Sequence, residues 1–267
     1  MIESLQNDRI KRLTRMITDN RFRKKSGLFV VEGKQENDRA MRFGFEPEEF
    51  YIAEGIYEDD LPTGQVYPVS EKVYEKLAYR GKTEGIIGLY REQENSLQAF
   101  TPSANSSIII VESLEKPGNL GAILRSCEAF GIDALLIADP KLDIYNPNVI
   151  RSSVGCLFGM NVFQTDNEEI YRFLIEHRYK IYTTLMDATA KNLHTQDLSG
   201  RAALAFGTEH SGLSSFWNDK GKNTLIPMAG SIDSLNLSNA VAITCYEILR
   251  QNLEKNGIKK PFPKRNG

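Results

Sequence analysis

Apolar and polar positions follow one pattern up to about residue 95 and another beyond it. Leu5, Ile10, Leu13, Met16 and Ile17 recur at helical spacing across residues 4–18. Phe29-Val30-Val31 is a β-rich triplet, residues 34–43 are helical in pattern, and Phe50-Tyr51-Ile52 and Val66-Tyr67-Pro68-Val69 predict short strands. Ser70 stands at the N-cap of a further helix, and Ile86-Ile87-Gly88-Leu89-Tyr90 supplies a closing strand. Together these predict a small α/β sandwich of about 90 residues.

Residues 96–106 are small, polar and proline-bearing, which predicts a linker. Beyond it, Ile108-Ile109-Ile110-Val111 is the continuous apolar run of a strand buried on both faces. A helix over residues 120–130 and a strand at Ala134-Leu135-Leu136-Ile137 follow. Apolar runs return at residues 180–185, 202–206 and 224–226, with helices over 170–176 and 238–254. This alternation predicts a parallel sheet with helices on both faces, over residues 107–255.

A length of 267 residues suits two domains of roughly 100 to 150 residues. Apolar residues at 41% and charged residues at 25% are those of an ordinary globular protein. No apolar run approaches the roughly 20 residues that cross a bilayer, and the polar, basic N-terminus has no signal-peptide core. No membrane association and residence in the cytoplasm are the expectations. Three scattered cysteines (Cys127, Cys156, Cys245) and three histidines (His177, His194, His210) have no ligand spacing, so no metal is expected.

Net charge is −2, but its distribution is uneven. Residues 1–25 hold eight Lys and Arg against three acids, a local +5, and residues 255–267 hold Lys255, Lys259, Lys260, Lys264 and Arg265 with no acid, another +5. Basic ends on a neutral body suit phosphate contact. Residues 256–267 read as a basic tail.

Three glycine-bearing segments fall after strands of the second domain, where open α/β sheets place ligand loops. In the first, Pro117-Gly118 makes a turn, Asn119 can cap the helix and Gly121 permits close backbone approach. Arg125 lies six residues after Asn119, so that the two can face the same rim of the sheet. The second runs Gly207-Thr208-Glu209-His210-Ser211-Gly212-Leu213, a loop whose backbone can face a ligand. In the third, from Ile226-Pro227-Met228 to Ser238, polar Ser234, Asn236 and Ser238 alternate with Leu235 and Leu237, and Ser238 is placed to cap the final helix. A P-loop, a dinucleotide-binding G-x-G-x-x-G after Val111 and a G-x-S-x-G elbow do not occur, which disfavours nucleotidase, dehydrogenase and common hydrolase readings.

In this order the segments resemble the three motifs of the SpoU (TrmH) RNA methyltransferases of the SPOUT superfamily. N-x-G-x-x-x-R is matched at Asn119, Gly121 and Arg125, and G-x-E-x-x-G-L at Gly207, Glu209, Gly212 and Leu213. I-P-M-x-G…S-L-N-x-S is matched at Ile226, Pro227, Met228, Gly230, Ser234, Leu235, Asn236 and Ser238. Asn146-Pro147…Ile150-Arg151-Ser152-Ser153-Val154-Gly155 is similar to the family's N-P…R-S-S-x-G region. Where the family often carries a proline after that glycine, this chain has Asn161-Val162-Phe163. Residues 1–95 resemble the family's ribosomal-protein-like RNA-binding domain through Arg21-Phe22-Arg23…Phe29-Val30-Val31-Glu32-Gly33.

The resemblance implies a deep trefoil knot, a homodimer, S-adenosylmethionine as cofactor, and methylation of a ribose 2′-hydroxyl in structured RNA, with rRNA favoured over tRNA. It assigns catalysis to Arg125, Asn119, Glu209, Ser234 and Asn236, cofactor binding to Gly207, Ile226, Met228 and Leu235, and RNA contact to Arg21, Arg23, Lys24 and Lys25. Two alternatives stay open: a base-methylating SPOUT enzyme, and a non-catalytic RNA-binding factor of ribosome assembly.

Overall fold

The computed structural model describes residues 1–79, 84–185, 187–232 and 234–256. The N-terminal part comprises α1 (Asp8–Thr18), α2 (Asn20–Ser26), β1 (Leu28–Glu32), α3 (Lys34–Arg42), β2 (Pro47–Ile52), β3 (Val66–Pro68), α4 (Glu71–Leu77) and β4 (Ile86–Arg91). The chain continues as β5 (Ser107–Glu112), α5 (Pro117–Phe130), β6 (Ala134–Ala138), α6 (Pro147–Ser152), α7 (Cys156–Gly159), β7 (Asn161–Thr165) and α8 (Asn167–Glu176). It ends with β8 (Lys180–Thr183), β9 (Lys191–Asn192), β10 (Ala202–Phe206), β11 (Lys222–Leu225) and α9 (Leu237–Asn256). Two compact units result. The first is Met1–Asn95 with Glu115–Arg125 and Lys141–Met160, and the second holds Ser96–Leu114, Ser126–Pro140 and the chain from Asn161 onward.

In the first unit the strands pair in the order β1-β4-β2-β3, antiparallel except for β2 with β3. Local chemistry sets the helix ends. Asn7 caps α1 by accepting from the Arg9 amide at 3.0 Å, Asp19 caps α2 through the Phe22 amide, and Gly27 ends α2 at φ 63°. Successive β1 side chains point to opposite faces of the sheet. Leu28 and Val30 join Ile10, Leu13 and Met16 of α1 in one core. Phe29 instead stacks on Tyr145 with ring centroids 4.4 Å apart and lies 5.9 Å from Phe158. Both faces of β1 are therefore covered, and each large apolar side chain so buried contributes about 1.5–3 kcal/mol. The segment around α6 and α7 supplies the second face, which is why residues 141–160 pack with the N-terminal part.

The second unit is built on a seven-stranded parallel sheet in the order β7-β6-β5-β10-β8-β11-β9. Ile108–Val111 lie in β5, between β6 and β10, and are fully buried, as their unbroken apolar run requires. Residues 96–106 are not a loose tether. Leu97 is in the core, the Arg201 guanidinium donates to the carbonyls of Pro102 and Ser103, and the Tyr179 hydroxyl donates to Ser106 Oγ at 2.8 Å. Two main-chain carbonyls and the Ser106 hydroxyl accept these bonds, so the segment is tied to its unit. Of the expected basic tail, residues 257–267 lie outside the described residues. Lys255 is in α9, where its ammonium pairs with Asp197 at 3.0 Å.

Candidate functional site at the carboxyl edge of the parallel sheet

Because the strands are parallel, β5, β10 and β11 end at the same edge, where ligand loops of open α/β sheets emerge. After β10 the chain closes a tight loop. The Thr208 and Gly212 backbones exchange hydrogen bonds at 3.1 and 3.0 Å, and Thr208 Oγ1 accepts from the Ser211 amide at 3.0 Å. Only glycine fits at 207. A Cβ there would lie 1.8 Å from the Gly212 carbonyl carbon and 2.0 Å from the Leu213 amide nitrogen. The freedom of Gly207, expected to admit a ligand, is used to let the loop close on itself. Gly121 is used in the same way, since its Cβ would meet Ser152 Oγ at 1.9 Å.

A buried carboxylate anchors the far end of this loop. Glu112, the last residue of β5, is 4% exposed. It accepts from the Ser214 amide, the Ser214 hydroxyl and Asn167 Nδ2, each at 2.6 Å. Asn167 also donates to Asp139 and accepts from Trp217 Nε1 at 2.9 Å. A charge held inside the fold needs this many donors, and bonds to an ionised acceptor are roughly twice as strong as neutral ones. Sequence reasoning missed Glu112, Asn167, Ser214 and Trp217. The available signal was an acid directly after the apolar run Ile108–Val111.

The third loop leaves β11 at Leu225. Ile226 and Leu235 are half-buried, whereas Leu225, Met228 and Ile232 are 39%, 40% and 62% exposed. A Cβ at Gly230 would meet nothing within 4 Å. The loop thus carries exposed apolar side chains, Met228 and Ile232, beside open backbone at Gly230. The loop ends at a cap the sequence assigned to the wrong residue. Asn236, not Ser238, caps α9, because its Oδ1 accepts from the Ser238 amide at 3.0 Å and the Ser238 hydroxyl at 2.6 Å. The other half of the same side chain reaches the second loop, where Asn236 Nδ2 donates to Glu209 Oε1 at 2.5 Å. Ser234 is exposed two residues earlier.

Asn119 and Arg125 are both on α5 and belong to the first unit. The helix begins at Pro117, so Asn119 lies inside its first turn, half-buried, and is not its cap. Six residues rotate by about 240° on an α-helix, so Asn119 and exposed Arg125 do not share a helix face. Of the four cations expected at an RNA surface, Arg21, Lys24 and Lys25 are exposed on α2. Arg23 is not available. It is 2% exposed, its Nε donates to Asp143 Oδ2 at 2.8 Å, and its Nη1 donates to the carbonyls of Met16 and Ile17. A guanidinium supplies five donors and ties α1, α2 and Asp143 together, so a residue read as a phosphate contact is a structural one. Among the described residues no cluster of acids, histidines and cysteines suits a metal ion, and no helix is long and apolar enough to cross a membrane.

The chain thus holds a parallel α/β sheet with loops at its carboxyl edge and, separately, a small mixed α/β sheet unit. Residues 106–246 match the SpoU rRNA Methylase family and residues 7–88 match the MRM3-like substrate binding domain. The chain belongs to the SpoU rRNA methylase family. It is 26% identical over 250 residues to 23S rRNA (guanosine(2553)-2′-O)-methyltransferase RlmP of Bacillus subtilis, covering 92% of this chain and 98% of that protein. It is 30% identical over 178 residues to 23S rRNA (guanosine-2′-O-)-methyltransferase RlmB of Yersinia pestis, covering 64% and 72% respectively. A crystal structure of an RNA 2′-O ribose methyltransferase superposes with a TM-score of 0.82 at 35% identity, over 94% of this chain and 98% of that one. The fold is also that of AviRb from Streptomyces viridochromogenes, solved with AdoMet (TM-score 0.81, 22% identity, 92% and 98% covered).

Proposed function

We propose that this protein transfers a methyl group from S-adenosylmethionine to a ribose 2′-hydroxyl of structured RNA, and that the RNA is ribosomal. The observation that carries the reading is the bond from Asn236 to Glu209, which ties the third motif to the second at the sheet edge where Gly207, Ile226, Met228 and Leu235 sit. The relatives named as 23S rRNA 2′-O-methyltransferases, one of them matched along nearly all of its length, support ribose over base and rRNA over tRNA.

The bound cofactor supplies an electrophilic methyl on its sulfonium sulfur. The chain's own residues have three tasks. The first is the proton. A ribose hydroxyl has a pKa far above 7, so its proton must leave as the oxygen attacks. Arg125 is assigned to that hydroxyl. A guanidinium is a poor base, so its main contribution is to orient the ribose and to stabilise the charge that develops on the oxygen, while the hydroxyl proton passes to solvent water. The second task is positioning: Asn119, Glu209, Ser234 and Asn236 hold the reacting groups in line. The third is binding the substrate, which falls to the N-terminal unit through Arg21, Lys24 and Lys25.

A homodimer, the knotted threading of the third loop and residence in the cytoplasm belong to the same reading. Ile243 and Tyr246, one turn apart on α9 and 43% and 56% exposed, support the dimer as an apolar face for a second copy. Calorimetry with S-adenosylmethionine tests the proposal: saturable binding near one site per chain is expected, and no heat at millimolar cofactor removes the cofactor assignment.

A further inference from the structure

We infer that Tyr79 and Arg151 form a stacking platform for one unpaired nucleobase of the RNA substrate, an inference that rests on the RNA reading above. Both residues are in the first unit. Tyr79 follows α4 and is 61% exposed, although it is a large aromatic side chain. The Arg151 guanidinium covers one side of its ring, with Cζ 3.8 Å from the centroid. That guanidinium is held in place by a bond from Nη2 to Asn148 Oδ1 at 3.1 Å, while its Nε is buried without a hydrogen-bond partner. Leaving a guanidinium N–H desolvated and unpaired opposes stability. The guanidinium is committed to the Tyr79 ring and to Asn148.

The ring chemistry says which part of a nucleotide fits. The Tyr79 amide donates to Glu32 Oε2 at 3.0 Å, which fixes the backbone that carries the ring. A planar base is the ligand that an aromatic ring backed by a guanidinium accepts. The position also suits the reaction. Ser152, the residue after Arg151, packs directly on Gly121 in α5, the helix that carries Asn119 and Arg125. To reach a ribose hydroxyl in structured RNA, the target nucleotide or its neighbour must leave the base stack, and single-stranded bases are commonly caught on aromatic side chains and arginine planes.

Fluorescence anisotropy with a labelled 12-nucleotide single-stranded RNA of mixed sequence, and with its duplex, tests this on the full chain. Tyr79→Ala is expected to raise Kd for the single strand roughly 10- to 100-fold, the range that removing one base stack gives. Duplex binding should change less than about twofold, and the slope of log Kd against log salt should not move, because the substitution removes no positive charge. Tyr79→Trp should restore single-strand binding. Unchanged single-strand affinity in Tyr79→Ala, an equal weakening on the duplex, or no rescue by tryptophan overturns the platform. Calorimetry with S-adenosylmethionine on the same preparation reports on the enzymatic reading separately, so the two cannot be confused.

Discussion

Asn236 serves two loops with one side chain: its oxygen caps α9 through Ser238, and its nitrogen holds Glu209 at 2.5 Å. Cap and cross-loop bond cannot be set independently, so the start of α9 fixes where Glu209 stands. Asn236→Asp keeps the cap but places two carboxylates together, whereas Asn236→Ala removes both functions. We expect Asn236→Ala to lower stability by about 1 kcal/mol, the usual value of a missing cap, and to reduce methyl transfer at least tenfold. Asn236→Asp should retain stability and still lose transfer. A double-mutant cycle with Glu209→Ala should be non-additive by about 0.5–3 kcal/mol in transition-state stabilisation, and additive effects would mean that the two side chains act separately.

Gly207→Ala sets a methyl group against the backbone of Gly212. Nothing flexible is available to move, so the loop must open. The expected result is loss of S-adenosylmethionine binding by calorimetry, with a cooperative thermal transition retained because β10 itself, which ends at Phe206, is undisturbed. Cofactor affinity within twofold of wild type would show that the loop's closure is not needed for binding.

Buried Arg23 and exposed Arg21, Lys24 and Lys25 should separate cleanly. Arg23→Ala strands Asp143 in the interior, for which about 3–5 kcal/mol of destabilisation is typical, read in a denaturant titration. Neutralising Arg21, Lys24 and Lys25 together should leave stability unchanged within about 0.5 kcal/mol. The same triple variant should weaken RNA binding and flatten its salt dependence by up to about 0.7–0.9 for each phosphate no longer neutralised. A triple variant with the wild-type salt slope would mark these side chains as ordinary surface.

Arg125→Ala is expected to abolish methyl transfer while cofactor affinity, measured by calorimetry, stays within a few-fold. Arg125→Lys keeps the charge but not the planar fork, and should recover little. Turnover within tenfold of wild type in Arg125→Ala would remove this residue from the reaction.

Most of the fold was legible because it is written in local patterns. The wholly apolar run Ile108–Val111 marked a central strand, and short β-rich apolar runs marked β1 and β4. The short helices α6 and α7 were not seen, since four to six residues carry too little periodicity, and their packing on Phe29 depends on residues more than 100 positions apart. For the same reason Arg23 was misread. Its sequence neighbourhood is basic, and its partner Asp143 is distant in the chain. Glu209 and Asn236 were legible as motif residues but not as bonded partners. Of the Glu112 network only the acid at the end of β5 was legible, because its partners come from separate segments of the chain.

The central claim is tested most directly by incubating the purified protein with tritiated S-adenosylmethionine and unmodified 23S rRNA, digesting the RNA to nucleosides and identifying the labelled product by mass spectrometry. The account predicts label in a single 2′-O-methylated nucleoside, absent with Arg125→Ala. Label in a base-methylated nucleoside, or none in RNA although the cofactor binds, would contradict it.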